Sequence, residues 1–126
     1  MVNDYKQLGV WKEAHQLAID MYSIARSLSK EEKFCLGQQL KRAATSIPLN
    51  IAEGCGRRTE KDFISFLYNS LGSVKETEAI LLLLKDLRMI KDEEWECHAQ
   101  KIDKIGKMLY NLIKSRQENT TSEQQR

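Results

Sequence analysis

Five basic residues in the middle of the chain are the side chains whose types and spacing most favour a binding chemistry. They are Lys41, Arg42, Arg57, Arg58 and Lys61. Glu53 and Glu60 lie among them and offset part of their charge. Guanidinium and ammonium groups bind phosphate oxygens through charge-assisted hydrogen bonds, so this cluster favours contact with RNA or DNA backbones. No base-reading or aromatic-stacking motif accompanies it, and we therefore expect binding without strong sequence preference.

Two weaker features add to this cluster. The turn Gly54–Thr59 precedes a predicted helix, whose first N–H groups favour anions. Further along, Lys101, Lys104 and Lys107 recur every three residues, with Asp103 between them. The net charge is only +2, and charge on a helix face is most often simply solvated. Repetition of the chain in an oligomer would turn these small patches into a continuous basic band.

Residues suited to catalysis or metal binding are scarce and poorly spaced. His15 and His98 are the two histidines, and Cys97 points about 100° away from His98 if both lie on a helix. The turn Gly54-Cys55-Gly56 lacks the spacing of a nucleotide-binding loop. No Glu-x-x-His pair suggests a di-metal bundle site. We therefore expect no enzymatic activity, no metal and no cofactor.

The cysteines and the apolar runs indicate the compartment. Three cysteines without a C-x-x-C spacing predict neither a disulfide framework nor a zinc site, which favours a reducing cytoplasm. The N-terminus has no apolar run of the signal-peptide type. The longest apolar run, Ala79 to Leu84, is far shorter than the ~20 residues of a membrane helix. We expect a cytoplasmic protein with no membrane partner.

Apolar residues recur at steps of three and four along nearly the whole chain, which predicts helices. The pattern places them near 8–28, 30–54, 59–89 and 92–115, with N-caps at Ser29 and Thr59. Short loops favour antiparallel neighbours, so we predict an all-α, up-down-up-down four-helix bundle. Residues 1–115 form this single domain. Residues 116–126 hold no apolar side chain and are expected to form a flexible tail.

Several side chains outside the predicted core favour contact with a neighbouring subunit. Leu49, Leu83 and Leu87 lie off the apolar faces of their helices, and exposed leucines favour a partner surface. Ser46 and Asn50 share the face of Leu49, together with Arg42 and Glu53. A polar helix face is often just solvated, and both interpretations stay open.

Glu78 is a separate case, because it shares the face of Leu67, Leu71 and Leu81. A buried carboxylate requires a cation or several donors, and Arg42 or Lys41 would be the natural partners. Glu53 is a second candidate partner for Arg42. The alternative for Glu78 is that slight supercoiling moves it to the edge of the apolar face.

The run from Leu36 to Leu81 resembles the 23S rRNA intervening-sequence proteins, a family of four-helix bundles. The matching positions are Gln39, Arg42, Ala43, Ser46–Pro48, Asn50–Gly54, Arg57 or Arg58, Asp62, Phe63, Gly72, Ser73, Glu76 and Glu78. Two positions depart from the family pattern. Thr77 replaces the usual leucine, which could loosen a helix contact, and Cys55 replaces a small polar residue.

The resemblance implies a ring-shaped homopentamer. It also implies kinship with the accessory protein of diversity-generating retroelements, which is thought to bind nucleic acid and a reverse transcriptase. It implies no known activity. We therefore expect a non-catalytic oligomer that binds RNA or DNA. The alternative is a protein-interaction scaffold that binds no nucleic acid.

Overall fold

The computed structural model describes residues 4–125, and the side chains up to residue 120. A 3₁₀ turn, Tyr5–Gln7, leads into α1, Gly9–Ser27. It is followed by the single-turn α2, Lys30–Lys33, and by three long helices: α3, Leu36–Cys55, α4, Glu60–Asp86, and α5, Asp92–Gln125. No strand occurs among residues 4–125. The prediction of an all-α chain with four long helices is confirmed.

The two predicted helix caps are present, but one of them begins a shorter helix than expected. Ser29 Oγ accepts the Glu32 N–H at 3.4 Å, and Thr59 Oγ1 accepts the Asp62 N–H at 3.1 Å. The helix predicted over 30–54 is interrupted at Phe34 and Cys35. Residues 30–33 are all charged and none of them is buried, so no packing holds this turn in line with α3.

The core lies between the four long helices, which pack as neighbours in the order α1, α3, α4 and α5, with α5 also against α1. Each helix contributes apolar side chains at helical spacing, which gives one continuous core. Its largest fully buried side chains are Leu17, Met21, Leu40, Ile47, Ile51, Phe63, Leu67, Leu81, Leu84, Ile102, Ile105 and Leu109.

Two fully buried side chains of α4 are polar, and the apolar pattern did not predict them. Ser70 Oγ donates to the carbonyl of Ile47 on α3 at 2.8 Å, and Thr77 Oγ1 donates to the carbonyl of Ser73 at 2.8 Å. Because both hydroxyls are hydrogen-bonded, their burial does not leave an unsatisfied donor. Thr77, the departure from the family pattern, therefore lies in the core with its hydroxyl satisfied.

The last helix runs beyond residue 115, where the sequence analysis ended it, and this boundary is corrected. Arg116 Nη1 lies 3.8 Å from Glu60 Oε2, and its guanidinium lies 5.6 Å from the centre of the Phe63 ring. Gln117 Nε2 donates to the Tyr68 hydroxyl at 3.1 Å. These contacts to α4 fix the helix past the last apolar residue. The flexibility expected of 116–126 stays a prediction.

Candidate nucleic-acid interface

The five basic residues of the predicted cluster do not form one patch. Lys41 and Arg42 lie in the first half of α3, whereas Arg57, Arg58 and Lys61 surround the turn between α3 and α4. Fifteen residues separate Arg42 from Arg57, which is about 20 Å along a helix. The structure therefore contains a basic turn, defined as Arg57, Arg58 and Lys61, and a separate basic site on α3.

At the basic turn, Arg57 is held by two interactions. Its Nη2 donates to Glu53 Oε1 at 3.1 Å, and its guanidinium lies 4.7 Å from the centre of the Phe66 ring. Glu53, a candidate partner of Arg42 in the sequence, lies in the last turn of α3 and pairs instead with Arg57, which follows two residues after the end of that helix. Both side chains remain about half exposed. Such an exposed pair is weak and competes poorly with a phosphate.

Arg58 and Lys61 are exposed, and neither makes a hydrogen bond, ion pair or ring contact within residues 4–120. Glu60, which the sequence placed among the cations as a counter-charge, is mostly buried and points toward Arg116. Thr59 caps α4, so the partly positive N-terminal end of that helix adjoins the turn. Asp62 is the carboxylate left exposed in that first helical turn.

The basic site on α3 adjoins an aromatic ring that the sequence analysis did not identify. Lys41 Nζ lies 5.4 Å from the centre of the Tyr22 ring, and the Arg26 guanidinium lies 5.9 Å from it. Both distances allow a cation–π interaction. This ring borders a groove of about 370 Å³ between α1 and α3, into which Leu49 also projects.

Three lysines of α5, Lys101, Lys104 and Lys107, each lie beside a carboxylate of the same subunit. Lys101 pairs with Asp20 at 3.2 Å, Lys104 with Glu13 at 3.0 Å, and Lys107 with Asp103 at 3.0 Å. Each of these three lysines therefore has a carboxylate of its own, two of them on α1. The three-residue spacing thus places each of these lysines beside a carboxylate, and they do not form a band of positive charge alone.

Glu78 lies at the edge of the core, which agrees with the interpretation that supercoiling moves it to the edge of the apolar face. Its side chain is 37% exposed, and Lys75 Nζ lies 4.0 Å from its Oε1. Neither Lys41 nor Arg42 is its partner among the described contacts. The carboxylate is therefore satisfied by solvent and by a residue of its own helix.

The histidines and cysteines do not assemble into a reactive group. Burial lowers the pKa of His98, with a further lowering by Lys101, while Asp20 and Glu94 act in the opposite direction. Burial raises the pKa of the Cys55 thiol, which makes it a poor nucleophile at neutral pH, although Arg116 partly opposes this. No group of three potential metal ligands occurs among the described residues.

The predicted subunit-contact residues lie on the surface. Leu49 is 65% exposed, Leu83 45% and Leu87 50%. Ser46 and Asn50 are both half-buried on α3. Asn50 Nδ2 donates to the Ser46 carbonyl at 2.8 Å. Seven more large apolar or aromatic side chains are also exposed: Ile19, Tyr22, Phe34, Tyr68, Leu82, Met89 and Tyr110. Those that lie on helices could have been identified by their positions off the apolar faces, whereas Phe34 and Met89 lie between helices.

The comparisons with known proteins agree on one family. The model of the 23S rRNA-intervening sequence protein family matches residues 6–111. A crystal structure of a protein of unknown function from the S23 ribosomal protein family of Bacteroides thetaiotaomicron is similar to this chain, with 31% identity and a TM-score of 0.79. The alignment covers 83% of this chain and 98% of that one. No curated protein matches. Within the described residues, no helix is long and apolar enough to span a membrane.

Proposed function

The chain belongs to the 23S rRNA-intervening sequence protein family, and from that premise we propose that it is a non-catalytic, oligomeric, cytoplasmic protein that binds RNA or DNA at the basic turn. One observation supports this most. Arg58 and Lys61 are exposed and unpaired within residues 4–120, while Arg57 beside them has only an exposed partner. Three cations are thus available to phosphate at one end of α4.

The local charges favour phosphate over other ligands. Glu60 is directed away from the turn, which removes one of the two carboxylates that the sequence placed among these cations. Arg57 lies over the Phe66 ring, so its guanidinium plane is oriented before any ligand arrives. An oriented guanidinium loses less side-chain entropy when it binds a phosphate in a bidentate manner. The adjoining N-terminus of α4 adds a partial positive charge.

Assembly would multiply this small site. We propose an up-down-up-down arrangement of antiparallel helices and a homopentameric ring, as the family resemblance implies, with Leu49, Leu83 and Leu87 in subunit contacts beside Ser46 and Asn50. A chain with a net charge of +2 attracts a polyanion weakly by itself. Five copies of the basic turn on one ring could contact a single strand together and gain affinity through multivalency.

A protein-interaction scaffold is the second candidate function. It is favoured by the exposed leucines, which suit a protein surface better than a nucleic acid. A reverse transcriptase, the partner implied by the resemblance, would fit this candidate. Absence of nucleic-acid binding would leave the scaffold as the better account.

Changing Arg57 and Arg58 together to alanine should weaken binding to all RNA and DNA sequences to a similar degree. The variant neutralises fewer phosphates, so the log–log dependence of affinity on salt should flatten by about 0.7–0.9 for each phosphate that is no longer neutralised. Fluorescence anisotropy with short labelled strands measures both quantities. Helicity and oligomeric state should stay unchanged, because both side chains are exposed.

The double variant Lys101→Ala/Lys104→Ala is the matched control. It removes the same formal charge from two lysines that both have a carboxylate partner on α1, Asp20 and Glu13, whereas Arg58 has no such partner within residues 4–120. Its affinity should stay close to that of the wild type. Equal reductions of affinity in the two variants would mean that net charge, and not the basic turn, governs binding, and the proposed site would be wrong.

A further inference from the structure

We propose that the nucleic acid bound at the basic turn is single-stranded, and that its unpaired bases stack on rings at the same end of the bundle. The proposal rests on the function proposed above and adds the class of nucleic acid that binds there. Two groups of side chains form the stacking surface. The Arg57 platform is the Arg57 guanidinium over the Phe66 ring, and the aromatic row consists of Tyr5, Trp11 and His15.

The Arg57 platform presents a planar cation that is already held against a ring. The Arg57 Cζ atom lies 4.7 Å from the centre of the Phe66 ring, which is the shortest distance between a cation and a ring among the described residues. The Arg57 side chain is 46% exposed. Unpaired bases stack on guanidinium planes as well as on aromatic side chains. A base stacked on Arg57 leaves Arg58 and Lys61 for the neighbouring phosphates.

The aromatic row is a chain of ring contacts between the 3₁₀ turn and the first half of α1. The Trp11 and His15 rings are stacked with their centres 4.6 Å apart, and the Tyr5 ring meets Trp11 at a steep angle with centres 5.0 Å apart. His15 is exposed, while Tyr5 and Trp11 are half-buried. Lys6 Nζ lies 5.9 Å from the centre of the Tyr5 ring. Cations beside partly exposed rings suit single strands, because the rings stack bases and the cations bind phosphates.

The aromatic row lies at the end of the bundle that carries the basic turn. The 3₁₀ turn Tyr5–Gln7 packs against α3 as well as against α1. Burial is the main cause of the raised pKa of Cys55, and the Asp4 carboxylate raises this pKa further while Arg116 lowers it. Asp4 is therefore close to the last residue of α3, and Arg57 follows that residue by two positions. The sequence shows no stacking motif because packing alone brings these rings to the turn.

Stacking and charge make opposite predictions about the preferred nucleic acid. Charge alone favours a duplex, because double-stranded DNA carries one negative charge per ~1.7 Å of its axis and a single strand carries fewer. The bases of a duplex are stacked on one another, so their faces are closed to protein rings, whereas the bases of a single strand are open. Every base has a face that can stack, so stacking tolerates any sequence. Cations and rings together therefore predict a preference for single strands without a preference for sequence.

The variant Arg57→Lys separates stacking from charge. Lysine keeps the positive charge but has no planar group, so the affinity for a single strand should fall about 5-fold or more, while the duplex affinity and the salt slope stay the same. Phe66→Leu removes the ring below the guanidinium and should act in the same way, with circular dichroism to verify the fold. Arg26→Lys is the matched control, because Arg26 lies 5.9 Å from the Tyr22 ring centre in the last turn of α1. Equal effects of the two lysine variants would overturn the Arg57 platform.

Trp11 reports directly on the aromatic row. The chain has two tryptophans, and Trp95→Phe leaves Trp11 as the only one. Trp95 adjoins Lys85 in the last turn of α4, whereas the basic turn precedes the first. Saturating this variant with a single-stranded oligonucleotide should quench the Trp11 fluorescence, and inorganic polyphosphate, which has charge but no bases, should bind without quenching. Fluorescence that is unchanged at saturation with the oligonucleotide would overturn stacking on the row.

Anisotropy with a labelled single strand and with the duplex of the same sequence and length distinguishes this proposal from the one it rests on. We expect the wild type to bind the single strand about 5- to 100-fold more tightly, which is the range for stacking one base on a ring. If both forms bind with a salt-dependent affinity but the duplex binds at least as tightly, the basic turn binds phosphates and the stacking is wrong. If neither form binds at about 50 mM salt, the proposed function is wrong and the single-strand preference falls with it.

Discussion

Replacing Phe63 with alanine should lower the free energy of unfolding by about 3–5 kcal/mol. The ring is fully buried near the start of α4, between the end of α3 and the Arg116 guanidinium, which lies 5.6 Å from its centre. The change removes most of a large apolar side chain and leaves a cavity that the surrounding helices can fill only partly. Since small domains are stable by about 5–15 kcal/mol, a large share of the total stability would disappear.

Phe34→Ala is the matched control, because the same chemical change is made at a side chain that is largely exposed in the break between α2 and α3. It should alter stability by no more than about 0.5 kcal/mol. Urea unfolding measures the free energy of unfolding of both variants. The protein concentration is kept the same throughout, since the stability of an oligomer depends on concentration. Equal effects at the two positions would contradict the burial of Phe63.

The change from glycine to alanine should have opposite effects at Gly54 and Gly72. A Cβ at Gly54 would lie 2.9 Å from Phe66 Cβ and 2.9 Å from Phe63 Cδ1, where α3 and α4 approach each other. Phe66 Cβ moves only with its backbone, so the helices must separate. We expect Gly54→Ala to destabilise the protein by about 1–3 kcal/mol in spite of the higher helix propensity of alanine.

At Gly72 no atom lies within 4 Å of the added Cβ among the described residues. Gly72→Ala in the middle of α4 should therefore gain up to about 1 kcal/mol from helix propensity alone. Thermal unfolding of the two variants at equal concentration should show midpoints on opposite sides of the wild type. If Gly54→Ala were as stable as Gly72→Ala, the result would contradict the close approach of α3 and α4 at Gly54.

The helical fold follows from the sequence wherever an apolar face is long and regular. The faces of α1 and α3 and the caps Ser29 and Thr59 are local patterns, and the structure contains them. The sequence pattern did not predict the break at Phe34 and Cys35, because helix propensity does not depend on whether a turn has a surface to pack against. The extension of α5 past 115 depends on the contacts of Arg116 and Gln117 with α4, which periodicity cannot predict.

The basic turn is predictable in part. Arg57, Arg58 and Lys61 are neighbours in the sequence, so their proximity needs no tertiary information. Lys41 and Arg42 lie about 20 Å from this turn along α3, so they form a separate site, and their part in binding nucleic acid stays a prediction. The direction of Glu60 toward Arg116, and the cations around Tyr22, depend on how helices pack side by side. Those features are visible only in three dimensions.

The fold and the proposed binding are linked through the junction of α3 and α4. Gly54 and Phe63 bring the two helices together, and Arg116 draws Glu60 inward. The cations of the basic turn stay on the outside, where Glu53 and Asp62 are the nearby exposed carboxylates. The turn is thus held by a packed junction, which limits the entropy that its cations lose on binding a phosphate.

Fluorescence anisotropy of the wild-type protein with short labelled RNA and DNA, titrated from about 50 to 200 mM salt, tests the central claim most directly. We predict binding to unrelated sequences with similar affinity. The log–log salt slope should be negative, with about 0.7 per phosphate neutralised on single strands and about 0.9 on duplexes. Absence of binding at about 50 mM salt, or an affinity that does not change with salt, would contradict the proposal that the basic turn binds nucleic-acid phosphates.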